Sequence, residues 1–510
     1  MTLRQLTKDL PSATLSGSPD ADVMAITQDS RAAAPGTLFA AIRGRSADGH
    51  RFIPDALAAG ATAILAETAP PEDLPDPIAW IHTGDSRRAL AALAAAFHDH
   101  PGDKLKLAGV TGTNGKTTTT FLIHHIMKAV WHRAGLAGTI LTDDGGETDT
   151  TTHTTPGPVE TQALLARIAD NGCRGAALEV SSHGIHQSRV ASIAFDAAVF
   201  TNLTQDHLDY HGTMEDYYQA KASWFHDLAA NPRGKKPTAV INIDDPHGER
   251  LAGQLDGAMP VILCGSGIRA GFRLGNFRQS RRGMEFQLAA KGREYLVRAP
   301  LIGRFNQHNL VAAIAAASAC GIRPRQAIAA LADAPQVPGR LENVGNAGGA
   351  TVFVDYAHTP DALENACRTL QALDPRRLIT VFGCGGDRDK TKRPLMAAAA
   401  SRNSDACVIT SDNPRSEDPA EIIRQIEPGM AHRNYQSIPD RAEAIATAVA
   451  ASLSGDIILI AGKGHETYQE SAAGRIDFDD RKHASKALRD RAAAIAAERA
   501  KPKTPRAPQP

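Results

Sequence analysis

The chain has 510 residues, 42% hydrophobic and 22% charged, with 56 Lys+Arg against 56 Asp+Glu. A net charge of zero excludes an overall field that would draw it to nucleic acid or to an acidic membrane surface. Its six cysteines are scattered without a CxxC pair, a pattern of free thiols in a reducing compartment rather than of a disulfide framework.

The N-terminus, MTLRQLTKDLPSATLSGSPD, lacks a continuous apolar core, so no signal peptide is expected. The longest small-apolar stretch, residues 311–322, is too short to span a bilayer and contains Ser318. A cytoplasmic protein is the expectation. At about 150 residues per domain the length predicts about three domains. The first, residues 1–101, carries short apolar runs (DVMAITQDSR, TLFAAI, ATAILAE, IAWIHT) and no phosphate loop, with a Pro-rich loop at 68–77.

The second domain, 102–335, opens on the most informative segment. An apolar run, Leu105, Leu107, Ala108 and Val110, ends in Thr111-Gly112-Thr113-Asn114-Gly115-Lys116-Thr117, and a helical pattern follows from Phe121. Strand, glycine-rich loop and helix together cradle phosphates through successive backbone N–H groups and the positive end of the helix dipole. Lys116 supplies a point charge for the outer phosphates, and the Thr117 hydroxyl can ligate Mg²⁺. Val110 stands where the general P-loop pattern has its first glycine, so the loop is a variant.

The same plan of apolar strand, polar motif and helix recurs along the chain. Ala176-Ala177-Leu178 leads to Glu179, Phe195 to Phe200 leads to TNLTQDHLDYHG, and TAVINI leads to Asp244-Asp245. After a break near 333–340 comes a third domain, 336–490. There TVFVDY, LITVFGCGG, ACVITS and DIILIAGKG lead to His358, to Arg388, to Asp412-Asn413-Pro414-Arg415 and to His465-Glu466. Such alternation predicts an α/β protein with mostly parallel, doubly wound sheets, and ligands at the carboxyl ends of the strands. Some of these polar residues are expected to be helix caps only. Glu179 is placed to hold a Mg²⁺ that bridges nucleotide phosphates. His207 alone is weaker, because a lone loop histidine is ordinarily a surface group. Lys221, in YYQAKASWF, would ordinarily be a snorkelling surface lysine. The Pro-rich end, with residues 491–510 beyond the last domain, predicts a disordered tail.

Taken together, TGTNGKTTT, HTTPG (153–157), EVSSHGIHQSRV (179–190), TNLTQDHLDYHGTMEDYYQAK (201–221), NIDD (242–245), GRFNQHN (303–309), PGRLE (338–342), VDYAHTP (354–360), GCGGDRDKTKRP (383–394), SDNPRSEDP (411–419) and AGKGHE (461–466) strongly resemble the Mur ligases. The match is nearest to the MurE type, which adds the third residue to the UDP-N-acetylmuramoyl peptide of peptidoglycan. The resemblance covers roughly residues 20–485, and the ordered set of motifs is far more specific than any one of them.

The resemblance implies a UDP-binding N-terminal domain, a central ATPase domain and a Rossmann-like C-terminal domain for the amino acid. It implies ATP and Mg²⁺ and small-molecule substrates; a monomer is the expectation. By position, Gly112, Thr113, Asn114, Gly115, Lys116, Thr117 and Thr118 would hold ATP phosphates. Asn306, Asn309 and Arg340 would lie near adenine and phosphates, with Asp355 and His358 near the nucleotide. Thr117, Glu179, His207 and a carbamylated Lys221 would form the metal sites, and Lys116, Lys221, Glu179 and His207 the catalytic set. Gln28, Ser30, Arg45, Ser46, Ala47, His153, Thr154, Thr155, Ser181, Gln187 and Arg189 would hold the UDP-sugar dipeptide. His153 departs from an asparagine common in relatives, and Gln28 from an apolar residue in some. Arg388, Asp412, Asn413, Pro414, Arg415, Gly462 and Glu466 would hold the incoming amino acid.

The DNPR sequence at 412–415 resembles that of the meso-diaminopimelate-adding enzymes. Diaminopimelate carries a second carboxylate that lysine lacks. Arg415 can pair with it in a fork, and a lysine substrate would leave the guanidinium unpaired. Glu466 suits the distal ammonium. GCGG at 383–386 is only half a dinucleotide fingerprint and is set aside. The alternatives are another ligase of the superfamily, which DNPR and GKGHE oppose, a non-catalytic nucleotide-binding relative, and a P-loop motor.

Overall fold

The computed structural model describes residues 1–500 apart from Asp9, Pro11, Ser12, Arg45, Ser46, Pro75 and Thr152. They form two compact units. One comprises Met1–Asn276, Phe286–Arg298 and Phe305–Ala334, the other Phe277–Glu285, Ala299–Arg304 and the chain from Pro335 onward.

In the first unit the apolar runs before residue 101 become strands, the central three of them buried. The sheet order is Thr14–Gly17, Ala79–His82, Ala63–Ala66, Thr37–Ala40, Ala25–Thr27. Only Thr14–Gly17 pairs antiparallel. A second sheet places Val261–Gly265, Thr238–Asn242, Ala197–Phe200, Lys106–Thr111, Gly175–Glu179 and Gly135–Ala137 side by side, all parallel. Gly175–Glu179 is buried along its whole length, as a strand covered on both faces must be. Its register against Lys106–Thr111 sets Glu179 opposite Val110, so the carboxylate emerges beside the glycine-rich loop. The helix Lys116–Trp131 starts with four consecutive threonines, Thr117 to Thr120, all buried. β-Branched residues are weak helix formers, and here packing overrides propensity.

The second unit holds a six-stranded sheet. Its order is Glu342–Ala347, Ala350–Asp355, Ile457–Ala461, Leu378–Phe382, Ala406–Ile409, Tyr435–Ser437. Every pair but the first is parallel. The strand carboxyl ends therefore bring the Asp355, Gly383, Thr410 and Gly462 loops to one edge, where an open α/β sheet binds its ligands. A hairpin, Tyr468–Ser471 with Gly474–Asp477, follows.

One expectation is corrected. A structureless tail from residue 491 is contradicted by the helix Asp480–Ala500. RDRAAAIAAERA is rich in alanine and straight-chain residues that favour helix, and the helix packs along Glu342–Ala347 and Arg441–Ala450. The rest of the expected tail, 501–510, lies outside the described residues. No helix among the described residues is long and apolar enough to cross a membrane.

Candidate active site

The loop from Thr111 to Lys116 takes its shape from glycine and from the end of the neighbouring strand. Gly112 has φ +146°, and a Cβ there would lie 1.9 Å from Thr201 Oγ1. Thr201 Oγ1 donates to Asn114 O at 2.6 Å, and the Asn114 N–H donates to Asn202 Oδ1 at 2.9 Å. The Thr113 hydroxyl reaches Tyr217 Oη at 3.3 Å. Lys116 Nζ folds back on the loop and donates to Gly112 O at 2.9 Å and Thr113 O at 2.8 Å. Asn306 and Asn309 back the same helix. The Thr119 hydroxyl donates to Asn309 Oδ1 at 3.3 Å, and Asn309 Nδ2 donates to Asn306 Oδ1 at 2.9 Å.

Glu179 is 1% exposed. It accepts from Thr117 Oγ1 at 3.1 Å, from the Thr139 N–H at 2.8 Å and from Thr139 Oγ1 at 3.0 Å. Thr139 Oγ1 also lies 3.1 Å from Thr154 Oγ1. On the other side of the same strand end, Thr155 Oγ1 donates to Glu179 O at 2.9 Å and receives the Ser181 N–H at 2.9 Å. Arg189 donates to Thr155 O at 2.6 Å and holds Gln187 Oε1 through Nη2 at 2.8 Å. Thr154, Thr155, Ser181, Gln187 and Arg189 are thus one hydrogen-bonded group joined through Glu179 to Thr117. Gln28 and Ala47 sit on loops of the five-stranded sheet, and Ser30 opens the 3-10 turn Ser30–Ala32. Among the described residues their side chains make no hydrogen bond to this group. Arg45 and Ser46 lie outside the described residues.

Lys221 is not the surface lysine its neighbours suggest. It is 1% exposed on the buried face of the helix Met214–Ala230, among Tyr217, Trp224 and Phe225. Its Nζ donates to Gly112 O at 3.0 Å and lies 4.5 Å from the Tyr217 ring centre. Burial first, and then the nearby Lys116 charge, push its pKa well below the ordinary lysine value. His207 lies in left-handed backbone, φ +54°. Its ring is 5.0 Å from His183 and 6.1 Å from Tyr217, and burial depresses its pKa. His153 directly precedes Thr154, and the Thr151 hydroxyl donates to its carbonyl at 3.0 Å. Among the described residues no three His, Cys, Asp or Glu side chains form a ready metal cluster. The donors at hand are a buried carboxylate and a hydroxyl. These suit Mg²⁺, which completes its shell with water and phosphate oxygens.

In the second unit Arg340 stacks 4.8 Å from the Tyr356 ring centre. Asp355 accepts from the Leu341 and Ala357 N–H groups at 2.7 and 2.8 Å. Burial nevertheless pushes its carboxyl up to about 6, against the pull of Arg340. His358 Nδ1 lies 2.8 Å from Tyr356 O.

The predicted amino-acid residues come together at the sheet edge. Asn413 Nδ2 donates to Glu466 Oε2 at 2.9 Å. Gly386 has the room its neighbour needs, since a Cβ there would meet Pro414 O at 1.8 Å. The GCGG run therefore serves close approach to the DNPR loop. Arg388 is exposed, and Arg415 is one-quarter exposed in left-handed backbone, φ +53°. Arg415, expected to lack a partner without a second substrate carboxylate, has two within the chain. Arg415 Nη1 donates to Gly386 O at 2.7 Å, and Nε lies 3.5 Å from Glu470 Oε2.

Sequence reasoning missed several residues. Lys463 stands inside the quoted AGKGHE, fully buried, with Nζ 2.9 Å from both Asn413 Oδ1 and Glu466 Oε2. Arg441, fully buried at the first position of the helix Arg441–Ala450, ties Ser411 O and Ala461 O together while pairing with Asp480 at 2.7 Å. Only a charged residue on an apolar helix face hinted at it. Thr139 follows a three-residue strand and had no motif of its own.

Comparison with known proteins gives three consecutive matches. The model described as Mur ligase family, catalytic domain matches residues 22–98, the Mur ligase middle domain 110–317, and the Mur ligase, glutamate ligase domain 339–464. The chain is 44% identical over 494 residues to the UDP-N-acetylmuramoyl-L-alanyl-D-glutamate–2,6-diaminopimelate ligase of Geobacillus kaustophilus, covering 96% of this chain and 100% of that one. It is also 44% identical to the protein of the same name from Synechococcus elongatus, over 97% of this chain and 100% of the other. A solved structure of a ligase of that name superposes with a TM-score of 0.71 at 32% identity, over 97% and 100% of the two chains.

Proposed function

The chain belongs to the Mur ligase family, and on that premise we propose that it is an ATP-dependent amide-bond ligase adding meso-2,6-diaminopimelate to UDP-N-acetylmuramoyl-L-alanyl-D-glutamate in peptidoglycan precursor synthesis. One observation carries the geometry. Glu179 is hydrogen-bonded to Thr117 of the phosphate loop and to Thr139, whose hydroxyl meets Thr154 on the group expected to hold the acid substrate. A phosphoryl donor and a carboxylate acceptor would thus be read by one buried carboxylate.

In the first step the substrate's terminal carboxylate attacks the γ-phosphorus of ATP, giving an acyl-phosphate and ADP. In the second the neutral amine of the amino acid attacks the acyl carbon, forming the amide and releasing phosphate. The first step brings anions together. The loop N–H groups and Lys116, after swinging from Gly112 O and Thr113 O to the phosphates, offset the repulsion. Thr117, Glu179 and His207 would hold Mg²⁺, which would supply further positive charge against the anionic phosphates. The depressed pKa of Lys221 favours its neutral amine. That amine can add to CO₂ with loss of a proton, giving a carbamate carboxylate suited to a metal site. Arg189, Gln187, Ser181, Thr155, Thr154 and His153, with Gln28, Ser30 and residues 45–47, are proposed for the UDP-sugar dipeptide. Asn306, Asn309 and Arg340 are proposed for the nucleotide. Arg388, the 412–415 loop, Gly462 and Glu466 are proposed for the amino acid, which must be aligned for attack. The proposed division is 1–101, 102–335 and 336–490, the enzyme acting as a cytoplasmic monomer.

The test omits the amino acid. Protein, ATP, Mg²⁺ and UDP-N-acetylmuramoyl-L-alanyl-D-glutamate are incubated with hydroxylamine. A hydroxamate of the nucleotide substrate, formed with stoichiometric ADP, is the expected result. Bound but unprocessed ATP would point instead to a nucleotide-binding relative without chemistry.

A further inference from the structure

The hairpin Tyr468–Ser471/Gly474–Asp477 is stitched to the DNPR loop. The Arg415 N–H donates to Glu470 O at 3.0 Å, Arg415 bridges to Ser471, and the Glu470 N–H donates to Asn413 Oδ1 at 3.0 Å. These contacts fix Glu470 relative to Arg415, and the side chains meet at 3.5 Å with Glu470 about half exposed. We propose that Glu470 is an internal counter-carboxylate that competes with the substrate's second carboxylate for the Arg415 guanidinium, and so sets how strongly the enzyme prefers a dicarboxylic diamino acid over a monocarboxylic one. This rests on the assignment of Arg415 to the amino-acid site.

The thermodynamics follow from which pairs are exchanged. The Arg415 fork has two edges. Nη1 is taken by Gly386 O, and Nε faces Glu470. An incoming second carboxylate gains its own pair with the guanidinium but displaces the one to Glu470, so the net gain is the difference. L-Lysine brings no second carboxylate, leaves Arg415 on Glu470 and loses nothing there. Glu470 therefore weakens diaminopimelate binding and spares lysine the penalty of an unpaired guanidinium. Partly exposed pairs of this kind are worth about two- to fivefold in an equilibrium constant.

The experiment measures KM for meso-diaminopimelate and the competitive inhibition constant of L-lysine in wild type, Glu470→Gln, Arg415→Met and the double variant. The expected result is a two- to fivefold lower KM in Glu470→Gln, no tighter inhibition by L-lysine, and no effect of Glu470→Gln in the Arg415→Met background. An unchanged or raised KM, or a fall that persists without Arg415, would overturn the proposal. Wild-type protein that turns over another amino acid but not diaminopimelate would overturn the assignment of Arg415, and the competition with it. Thermal melts of all four proteins separate misfolding from binding.

Discussion

The chemistry proposed for this chain rests on a few buried polar side chains whose partners are specific. Glu179 is the clearest. Three donors, two of them from Thr139, fix its carboxylate. Removing an outer partner of a metal-binding carboxylate costs about 10- to 100-fold in metal affinity or activity. Thr139→Val should accordingly raise the Mg²⁺ concentration for half-maximal phosphate release by that factor, and an unchanged Mg²⁺ titration would show that Thr139 holds nothing that matters. His465 gives a second test. Its Nδ1 is buried without a hydrogen-bond partner among the described residues. Burial first, then Arg340, Arg481, His358 and Lys463, hold its ring at about 3. The unfolded chain titrates near 6.5, so between these values it binds more protons than the folded one. The stability is present above pH 6.5 and is lost as pH falls toward 3. His465→Phe should flatten this acid loss, measured as the difference in urea midpoint between pH 7 and pH 4.

At the scale of elements, strand ends do the positioning. Gly112→Ala would press a methyl group onto Thr201 Oγ1 and force a left-handed φ on alanine. A stability loss of at least about 1 kcal/mol and loss of ATP binding by calorimetry are expected. Arg441 clamps two strand ends against Asp480, both fully buried. Arg441→Met leaves a buried carboxylate alone, so a loss of about 3–5 kcal/mol should appear in denaturant unfolding. These elements also show what the sequence could and could not disclose. The apolar runs at LKLAGV, TVFVDY, LITVFGCGG and DIILIAGKG all became buried strands, because continuous apolarity has few other uses in a chain of this kind. The place of Glu179 beside the glycine-rich loop was legible because an acidic residue at the end of such a strand emerges there. Thr139 was not, because Gly135–Ala137 is too short to show a pattern. Lys221 was misjudged by its local surroundings, since the aromatic residues beside it face inward and take it with them. The pairing of Arg415 with Glu470 depends on a hairpin dozens of residues away, beyond any local signal. The helix to Ala500 was missed because the proline-rich end masked the alanine-rich run before it.

For the whole molecule, the balanced charge means that anionic substrates are held by local groups rather than drawn by a general field. The three family matches run in order over residues 22–464, and the parallel sheets of both units present their polar motifs at strand carboxyl ends. The claim that joins these levels is that one chain activates a carboxylate with ATP and delivers it to diaminopimelate. Its most direct test is ATP-dependent phosphate release with UDP-N-acetylmuramoyl-L-alanyl-D-glutamate, comparing meso-diaminopimelate with L-lysine and weighing the product by mass spectrometry. The account predicts phosphate release with diaminopimelate, a product heavier by one diaminopimelyl residue, and little turnover of lysine. Turnover with lysine alone, or no product with either amino acid, would contradict it.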